Sequence, residues 1–237
     1  MITDNTKYET AIKYLSNNPL LNMGMIVPLK RNTVDMIYVD IDGVCFKEIK
    51  SGAYMLSVSS YKTGCKILEH LPDNGLFSFN QSFMLDVFKS KVNYSTLLEN
   101  YQAVYFNDIL LPVSNSISIK ALDISFLDIF IMNYDIDLGK DYICERINEK
   151  ELFGGFVDDI LIGFIGIHAE GSIGMLKVFD EYKRKGYGKA LSIFAINHQL
   201  NRKIVPFEQI DIKNIASLSL AHSLGFTIST DCIYWLF

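Results

Sequence analysis

The segment from Met175 to Leu200 reads MLKVFDEYKRKGYGKALSIFAINHQL and predicts a strand, a charged turn and a helix in succession. Apolar and β-branched residues at its start predict a strand that ends at Val178. Apolar residues recur at helical spacing from Leu191 onward, which predicts a helix. Gly186 and Gly188 lie directly before that helix and allow the backbone to turn sharply and approach a ligand closely.

The start of this helix predicts a site for phosphate. The amide N–H groups of a first helical turn have no partner within the helix, and the helix dipole favours an anion there. Lys183, Arg184, Lys185 and Lys189 add positive charge around the turn. The alternative is a solvated turn that is capped by glycine, because a short glycine-rich loop alone is a weak signal.

The run KRKGYG at 183–188 resembles the pyrophosphate loop of the GNAT superfamily of N-acetyltransferases, written Q/R-x-x-G-x-G/A. Lys183 replaces the usual Gln or Arg. Residues 214–217, followed by Leu-Gly-Phe at 224–226, resemble the later N-x-x-A/S…L-G-F helix of that superfamily. The resemblance covers about the C-terminal half of the chain. It extends to a branch that includes glycine N-acyltransferases, which carry an extra N-terminal domain.

The resemblance implies acetyl-CoA or another acyl-CoA as co-substrate. The four histidines show no ligand spacing, so no metal is expected. The strand before the loop would offer backbone groups to the pantetheine arm and the thioester oxygen. Asn214 would bind pantetheine or position its helix, and an N-cap is its simpler role. The implied cofactor-binding residues are Leu176, Val178, Lys183, Arg184, Gly186, Tyr187, Gly188, Lys189, Asn214 and Ser217.

Direct attack of an amine on the thioester needs a base that removes a proton from the ammonium. His168 and Glu170 precede the strand and are the candidate catalytic residues, although each also fits an exposed hairpin position. Glycine N-acyltransferase relatives carry an acidic residue on this strand, but the aligned position here is Ser172. The Tyr that serves many GNAT enzymes as acid aligns with Ala221. We therefore expect that no single side chain, including His222 and Tyr234, is an essential acid.

Composition limits the classes of function. The chain has 237 residues, of which 49% are hydrophobic and 21% charged, and its net charge is −5. This profile predicts a folded protein rather than a basic nucleic-acid binder. The four cysteines are scattered, which argues against a zinc site or a disulfide scaffold and favours a reducing cytoplasm. The polar start is unlike a signal peptide, and no apolar run approaches the ~20 residues that span a bilayer.

Apolar patterns along the chain predict an α/β protein with a mixed sheet. A proline-broken polar linker at 111–116 divides it into an N-terminal α/β domain, 1–115, and a GNAT-like domain with a splayed sheet flanked by helices, 116–237. The predicted strands are 36–40, 44–48, 53–59, 76–79, 101–106, 117–121, 152–157, 160–167, 171–178, 205–212 and 233–237. The predicted helices are 7–17, 63–71, 81–88, 94–100, 123–134, 141–149, 189–200 and 214–224, and residues 20–29 suggest a short helix that passes into a strand.

An internal similarity suggests that the N-terminal domain is a degenerate GNAT-like copy. Residues 55–58, MLSV, resemble 175–178, MLKV, and a Tyr-Lys pair follows each of them. Residues 61–66 then resemble a worn copy of the loop without the second glycine. Chance similarity between two amphipathic strand–helix units is an equally good explanation.

Two alternative functions stay open. The D-x-D-G pattern of Asp40 and Asp42 resembles the first motif of haloacid-dehalogenase phosphatases, which use Mg²⁺, with Asp158-Asp159 as a distant acidic motif. The hairpin chemistry of Asp-Gly explains the first pattern by itself, and no Ser/Thr or Lys motif of such phosphatases is recognisable between the two acidic motifs. The second alternative is an acyl-CoA-binding module without catalysis.

The sequence thus predicts a cytoplasmic acyl-CoA-dependent N-acyltransferase that acts on a primary amine. The acceptor would be a small molecule or a peptide, with no nucleic acid and no membrane as partner. A homodimer is left open, as are the identity of the acceptor and the length of the acyl chain.

Overall fold

The computed structural model describes residues 4–114, 116–136 and 138–237. Asn115 of the predicted linker and the first three residues of the polar N-terminus lie outside the described residues. The helices are α1 Asp4–Leu15, α2 Pro19–Lys30, α3 Tyr61–Leu68, α4 Leu85–Lys91, α5 Leu127–Asn133, α6 Lys140–Asn148, α7 Tyr187–Asn201 and α8 Ile215–Leu224. The strands are β1 Val34–Asp40, β2 Gly43–Glu48, β3 Tyr54–Val58, β4 Phe77–Phe79, β5 Leu97–Val104, β6 Ser118–Ala121, β7 Leu152–Val157, β8 Ile160–Ile167, β9 Ile173–Val178, β10 Phe207–Asp211 and β11 Thr227–Leu236.

The chain divides into two compact units. The first unit comprises the residues up to Val104 together with Gln209–His222 and Phe226–Phe237. The second unit comprises Tyr105–Glu208 with Ser223–Gly225. The units are groups of contacting residues rather than continuous segments, so the domain division at 115/116 stays a prediction. No helix in the described ranges is long and apolar enough to cross a membrane.

The first unit contains a mixed sheet in the order β1-β2-β3-β4-β11-β5. The strands β1, β2 and β3 are antiparallel, β3 and β4 are parallel, and β11 is antiparallel to both β4 and β5. The register of Asp40 with Gly43 closes the predicted Asp-Gly hairpin. Phe79 stacks between Phe88 and Tyr234, with ring centroids 4.1 and 5.2 Å away, and this stack forms part of the core.

Two predictions in this unit are wrong. Residues 94–100 were expected to be helical, but Leu97 begins β5 because its backbone pairs with β11, a partner far away in sequence. Residues 20–29 do not pass into a strand, since α2 is helical throughout and buries most of its length. Asn18 caps this helix by accepting a hydrogen bond from the Leu21 N–H at 3.2 Å.

The second unit contains β6, β7, β8, β9 and the first two residues of β10, and these strands neighbour one another in that order. Its strands are antiparallel except for β9 and β10, which are parallel. Consecutive glycines of β7 allow neighbouring side chains to pack close to both faces of the strand. A Cβ on Gly154 would lie 2.5 Å from Leu122, while a Cβ on Gly155 would lie 3.2 Å from Leu191 of α7. The sheet is thus mixed and flanked by helices, as the sequence predicts.

The two units share an order of elements. In each, three antiparallel strands precede a helix, and a strand parallel to the third one follows: β1-β2-β3-α3-β4 and β7-β8-β9-α7-β10. The loops between the third strand and the helix differ in the two units. Tyr61 of the first Tyr-Lys pair already begins α3, whereas Tyr182 of the second pair is followed by a further turn before α7. The interpretation of residues 61–66 as a worn loop is therefore wrong, since these residues are helical.

Candidate functional site

The strand β9 contains a bulge. The register of β8 and β9 shifts between Phe164 and Gly166, so that Met175 and Leu176 together lie opposite Ile165. Met175 has a φ of 53°, which is unusual for a residue with a side chain, and it is 2% exposed. Such bulges bend a strand and redirect its backbone groups, and they are frequent beside functional sites.

The pairing of β9 with β10 is short. Within the described residues these strands are registered at Ile173 and Glu208. Leu176 and Val178 follow on β9 and are half-buried. Their backbone lies beyond the registered pair, where the prediction places the pantetheine arm.

The loop after β9 uses two left-handed residues to enter α7. Arg184 has a φ of 61°, and Gly186 has a φ of 83° with a ψ of 0°. Apart from its chain neighbours, no described residue has a heavy atom within 4 Å of a Cβ built on Gly186. A Cβ on Gly188 would meet only a methyl group of Val178, at 3.7 Å, outside its own helix turn. The surface around both glycines is therefore open to a ligand.

Among the residues that the structure describes, no side chain caps the N-terminus of α7. Gly186 is the N-cap residue and has no side chain, and the first turn contains no acidic residue. The first helical hydrogen bond runs from the Ala190 N–H to the Gly186 carbonyl oxygen at 3.1 Å. Earlier N–H groups of such a turn point outward and, with the helix dipole, favour an anion.

Helix α3 of the first unit has the opposite arrangement. The Ser60 hydroxyl oxygen caps it by accepting a hydrogen bond from the Thr63 N–H at 3.2 Å. The Thr63 hydroxyl in turn donates to a carboxylate oxygen of Asp42 at 2.5 Å, and this bond is the main reason that the pKa of Asp42 is lowered. Within the described part of the chain, side chains thus supply an anion at the start of α3 and no cap at the start of α7.

The cations of the loop are exposed and differ in their contacts. Lys183 forms a 2.6 Å ion pair with Asp180, which raises the pKa of Lys183 and lowers that of Asp180. Lys185 lies over the ring of Tyr182, 5.4 Å from its centroid. Arg184 is also exposed and lies beside Gly186 in the chain.

His168 and Glu170 lie in the turn between β8 and β9, but they are not exposed. Glu170 is 6% exposed, and its carboxylate accepts a hydrogen bond from the Ser172 hydroxyl. The Nδ1 atom of His168 lies 2.9 Å from the Tyr142 hydroxyl. Burial lowers the pKa of His168, and the negative charge of Glu170 partly opposes this shift. The alternative of exposed hairpin residues is therefore wrong, and the predicted catalytic role stays a prediction.

Asn214 and Ser217 belong to the first unit, whereas the loop belongs to the second. The Asn214 side-chain oxygen accepts a hydrogen bond from the Ser217 N–H at 3.1 Å, which is the predicted cap at the start of α8. Ala221 is fully buried, and His222 is exposed. Tyr234 lies in the core of the first unit against Phe79.

Two residues that the sequence analysis did not single out lie on or beside β9 and β10. Tyr134 follows α5 and contacts the bulge at Met175. Glu208 is registered with Ile173, and burial raises its pKa to about 8. Glu208 is an acidic residue inside a predicted strand, and this feature could have indicated it from the sequence. Nothing in the sequence indicates the position of Tyr134.

The arrangement around Asp40 and Asp42 does not support a phosphatase. Asp40 ends β1 and Asp42 lies in an antiparallel hairpin turn, where the Tyr38 and Thr63 hydroxyls donate to its carboxylate. Over the described ranges, no three His, Cys, Asp or Glu side chains cluster as metal ligands would.

Known proteins resemble this chain in part of its sequence and in its fold. A family model described as FR47-like protein matches residues 160–236. No curated protein matches the sequence. A crystal structure of a Drosophila protein is 11% identical with a TM-score of 0.70, and the match covers 99% of this chain and 97% of the other.

Two bacterial structures are similar over the whole length. An acetyltransferase from the GNAT family of Colwellia psychrerythraea is 13% identical with a TM-score of 0.53, and the match covers 100% of this chain and 97% of the other. A GCN5-related N-acetyltransferase-like protein of Streptococcus suis is 15% identical with a TM-score of 0.55, and the match covers 96% and 99%. At these identities the likeness shows the fold, which is the GNAT fold.

Proposed function

We propose that this protein is an acyl-CoA-dependent N-acyltransferase that transfers an acetyl or another acyl group to a primary amine. The observation that carries the proposal is the N-terminus of α7, which no described side chain caps and which begins at Gly186, at the end of the loop that follows the bulged strand. Its N–H groups and the helix dipole suit the pyrophosphate of CoA. The similarity of residues 160–236 to the FR47-like family and the GNAT fold support the same function.

In this proposal the second unit holds the acyl donor. The loop from Lys183 to Lys189 binds the pyrophosphate, and the strand backbone at Leu176 and Val178 receives the pantetheine arm. A neutral amine attacks the thioester carbonyl directly, which forms the C–N bond, and the C–S bond then breaks as the CoA thiolate leaves. Backbone N–H groups near the thioester oxygen would stabilise the oxyanion, and one such donor is worth about 3 kcal/mol.

The route of the amine proton concerns three acidic or basic side chains. His168 and Glu170 are the predicted bases, and in this structure each is hydrogen-bonded to a neighbour, so a water molecule would have to carry the proton. Glu208 is a further candidate, because its raised pKa of about 8 suits a base that works near neutral pH.

The internal hydrogen bonds of His168 and Glu170 also favour a second candidate function. A protein that binds acyl-CoA without transferring the acyl group would need the α7 site but no free base. The proposal also includes a cytoplasmic location, a small-molecule or peptide acceptor and a homodimer. These features do not distinguish the two candidate functions.

Titration calorimetry with CoA and acetyl-CoA tests the cofactor site. Gly188→Glu places a side chain and a negative charge in the anion site and should abolish binding, whereas Asn201→Glu adds the same charge at the other end of α7 and should not. Release of free thiol from acetyl-CoA in the presence of a primary-amine library then separates the two functions. Binding without turnover would favour the non-catalytic module, and absence of binding by the wild type would contradict both.

A further inference from the structure

Tyr134 places a phenol beside the bulge of β9. The residue directly follows α5, and its backbone N–H donates to the Phe130 carbonyl oxygen at 2.9 Å. Its ring lies against the rings of Phe130 and Phe164, with centroids 5.2 and 6.3 Å away. Both phenylalanines belong to the buried cluster that contains Met175. The packing therefore fixes the position of the phenol within the second unit.

Two consecutive residues connect this segment to the bulged strand. The hydroxyl of Tyr134 lies at the backbone of Met175, the residue with the positive φ, and this contact partly offsets the rise in the pKa of Tyr134. A carboxylate oxygen of Asp135 accepts from the Lys177 ammonium at 2.8 Å. The contacts thus lie on both sides of Leu176 and hold the phenol where the backbone of β9 departs from regular pairing.

The environment keeps this phenol protonated. Burial raises the pKa of Tyr134 to about 12, and the charge of Asp135 contributes to the rise. At neutral pH the side chain is therefore a hydrogen-bond donor rather than an anion.

We propose that Tyr134 is a catalytic residue whose hydroxyl donates a hydrogen bond to the carbonyl oxygen of the bound thioester. This inference rests on the proposed function and adds a side-chain donor to the backbone of the bulge. When the amine nitrogen forms the C–N bond, the π electrons of the carbonyl move to its oxygen, and Tyr134 stabilises the resulting oxyanion without losing its proton. The amine proton passes to water. Collapse of the oxyanion breaks the C–S bond, and the electron pair leaves on the CoA sulfur.

Infrared difference spectroscopy of acetyl-CoA, isotopically labelled at the thioester carbonyl, tests this contact without knowledge of the acceptor. A hydrogen bond to a carbonyl lowers its stretching frequency. We therefore expect a lower frequency in the wild type than in Tyr134→Phe, which removes the hydroxyl and keeps the ring between its neighbours. Tyr54→Phe is the matched control, because it removes a phenol that stacks on Phe77 in the first unit.

Kinetics with an acceptor from the amine library supply the second readout. Tyr134→Phe should lower kcat about 100-fold, as the loss of one oxyanion donor does, and leave the Kd for CoA within about twofold. If the wild type binds no acetyl-CoA, the proposed function itself fails. If the wild type binds it and the carbonyl frequency is the same in Tyr134→Phe, or Tyr54→Phe shifts it equally, this inference alone is wrong.

Discussion

The carboxylate of Asp42 accepts a 2.5 Å hydrogen bond from the hydroxyl of Thr63, in the first turn of α3. A second hydroxyl, that of Tyr38, donates to the other carboxylate oxygen at 2.8 Å. One side chain thus connects the β1–β2 turn to the start of the helix. This arrangement explains why the D-x-D-G pattern is present without any need for a metal.

We predict that Asp42→Ala lowers the free energy of unfolding by about 1–2 kcal/mol at pH 7, because the helix start loses its anion. The hydrogen bonds hold the pKa of Asp42 below its usual value of 3.8. The stabilisation is therefore complete above pH ~4 and is lost as the pH falls through the lowered pKa. Chemical unfolding at several pH values measures this, with Asp40→Ala as the control. Equal losses in both variants would contradict the assignment.

We predict that the protein binds one CoA per chain, at α7. In the first unit, the side-chain oxygen of Gln81 accepts a hydrogen bond from the Val58 N–H at 2.9 Å, which occupies the end of β3. Asp42 occupies the start of α3, and a Cβ on Gly64 would lie 2.3 Å from the Met84 sulfur. The protein's own side chains therefore fill the positions that a cofactor would need. A calorimetric stoichiometry of two would show that this reasoning is wrong.

We predict that backbone amides contribute more to CoA binding than the exposed cations do. Gly188→Glu should abolish binding, whereas Lys189→Ala should weaken it about two- to fivefold, and less at high salt because exposed charges are screened. Calorimetry at low and high ionic strength distinguishes the two effects. If Gly188→Glu binds CoA with the affinity of the wild type, the assignment of the loop to the CoA site is wrong.

The sequence predicted those parts of the fold that local chemistry decides. Glycines at 186 and 188 and the apolar repeat after them predicted the strand, loop and helix of the candidate site. The turn residues predicted both the hairpin that Gly43 closes and the β7–β8 hairpin. Asp123 accepts a hydrogen bond from the Ser125 N–H at 2.9 Å, as expected of a capping residue.

Parts of the structure that depend on distant pairing were not predictable in this way. Residues 94–100 carry helix-like periodicity, yet their backbone pairs with β11 from the other end of the chain. The bulge at Met175 follows from the register of β8, which a single strand sequence does not reveal. Since Tyr134 contacts that bulge, its place in the candidate site also depends on the fold.

We predict that Glu208 makes stability fall as the pH rises. Burial raises its pKa to about 8 from a usual value of 4.5, so the folded protein holds a proton that the unfolded chain has lost. The stabilising effect of that proton is complete below pH 4.5 and disappears as the pH rises to about 8. Glu208→Gln should therefore gain roughly 4 kcal/mol relative to the wild type between pH 5 and 9. Urea unfolding at both pH values measures this difference. If the free energy of unfolding changes equally in the wild type and in Glu208→Gln, the prediction is wrong.

The last prediction concerns the proton that the leaving CoA thiolate takes up. By the resemblance to GNAT enzymes, Ala221 aligns with the Tyr that serves many of them as the general acid. Ala221 is fully buried. Ala221→Tyr would therefore overpack the core and cost about 1–3 kcal/mol rather than restore an acid. His222 is exposed, and Tyr234 stacks on Phe79 in the core, where burial raises its pKa.

Neither of these side chains is needed as an acid if the thiolate leaves unassisted, since a thiol has a pKa of only about 8.5. We therefore expect His222→Ala and Tyr234→Phe each to keep kcat within about tenfold of the wild type, a change of ~1.4 kcal/mol in the barrier. Steady-state kinetics with acetyl-CoA and a library amine, together with the Kd for CoA, measure this. A loss of about a thousandfold in kcat at unchanged CoA affinity, for either variant, would identify the acid and contradict the prediction.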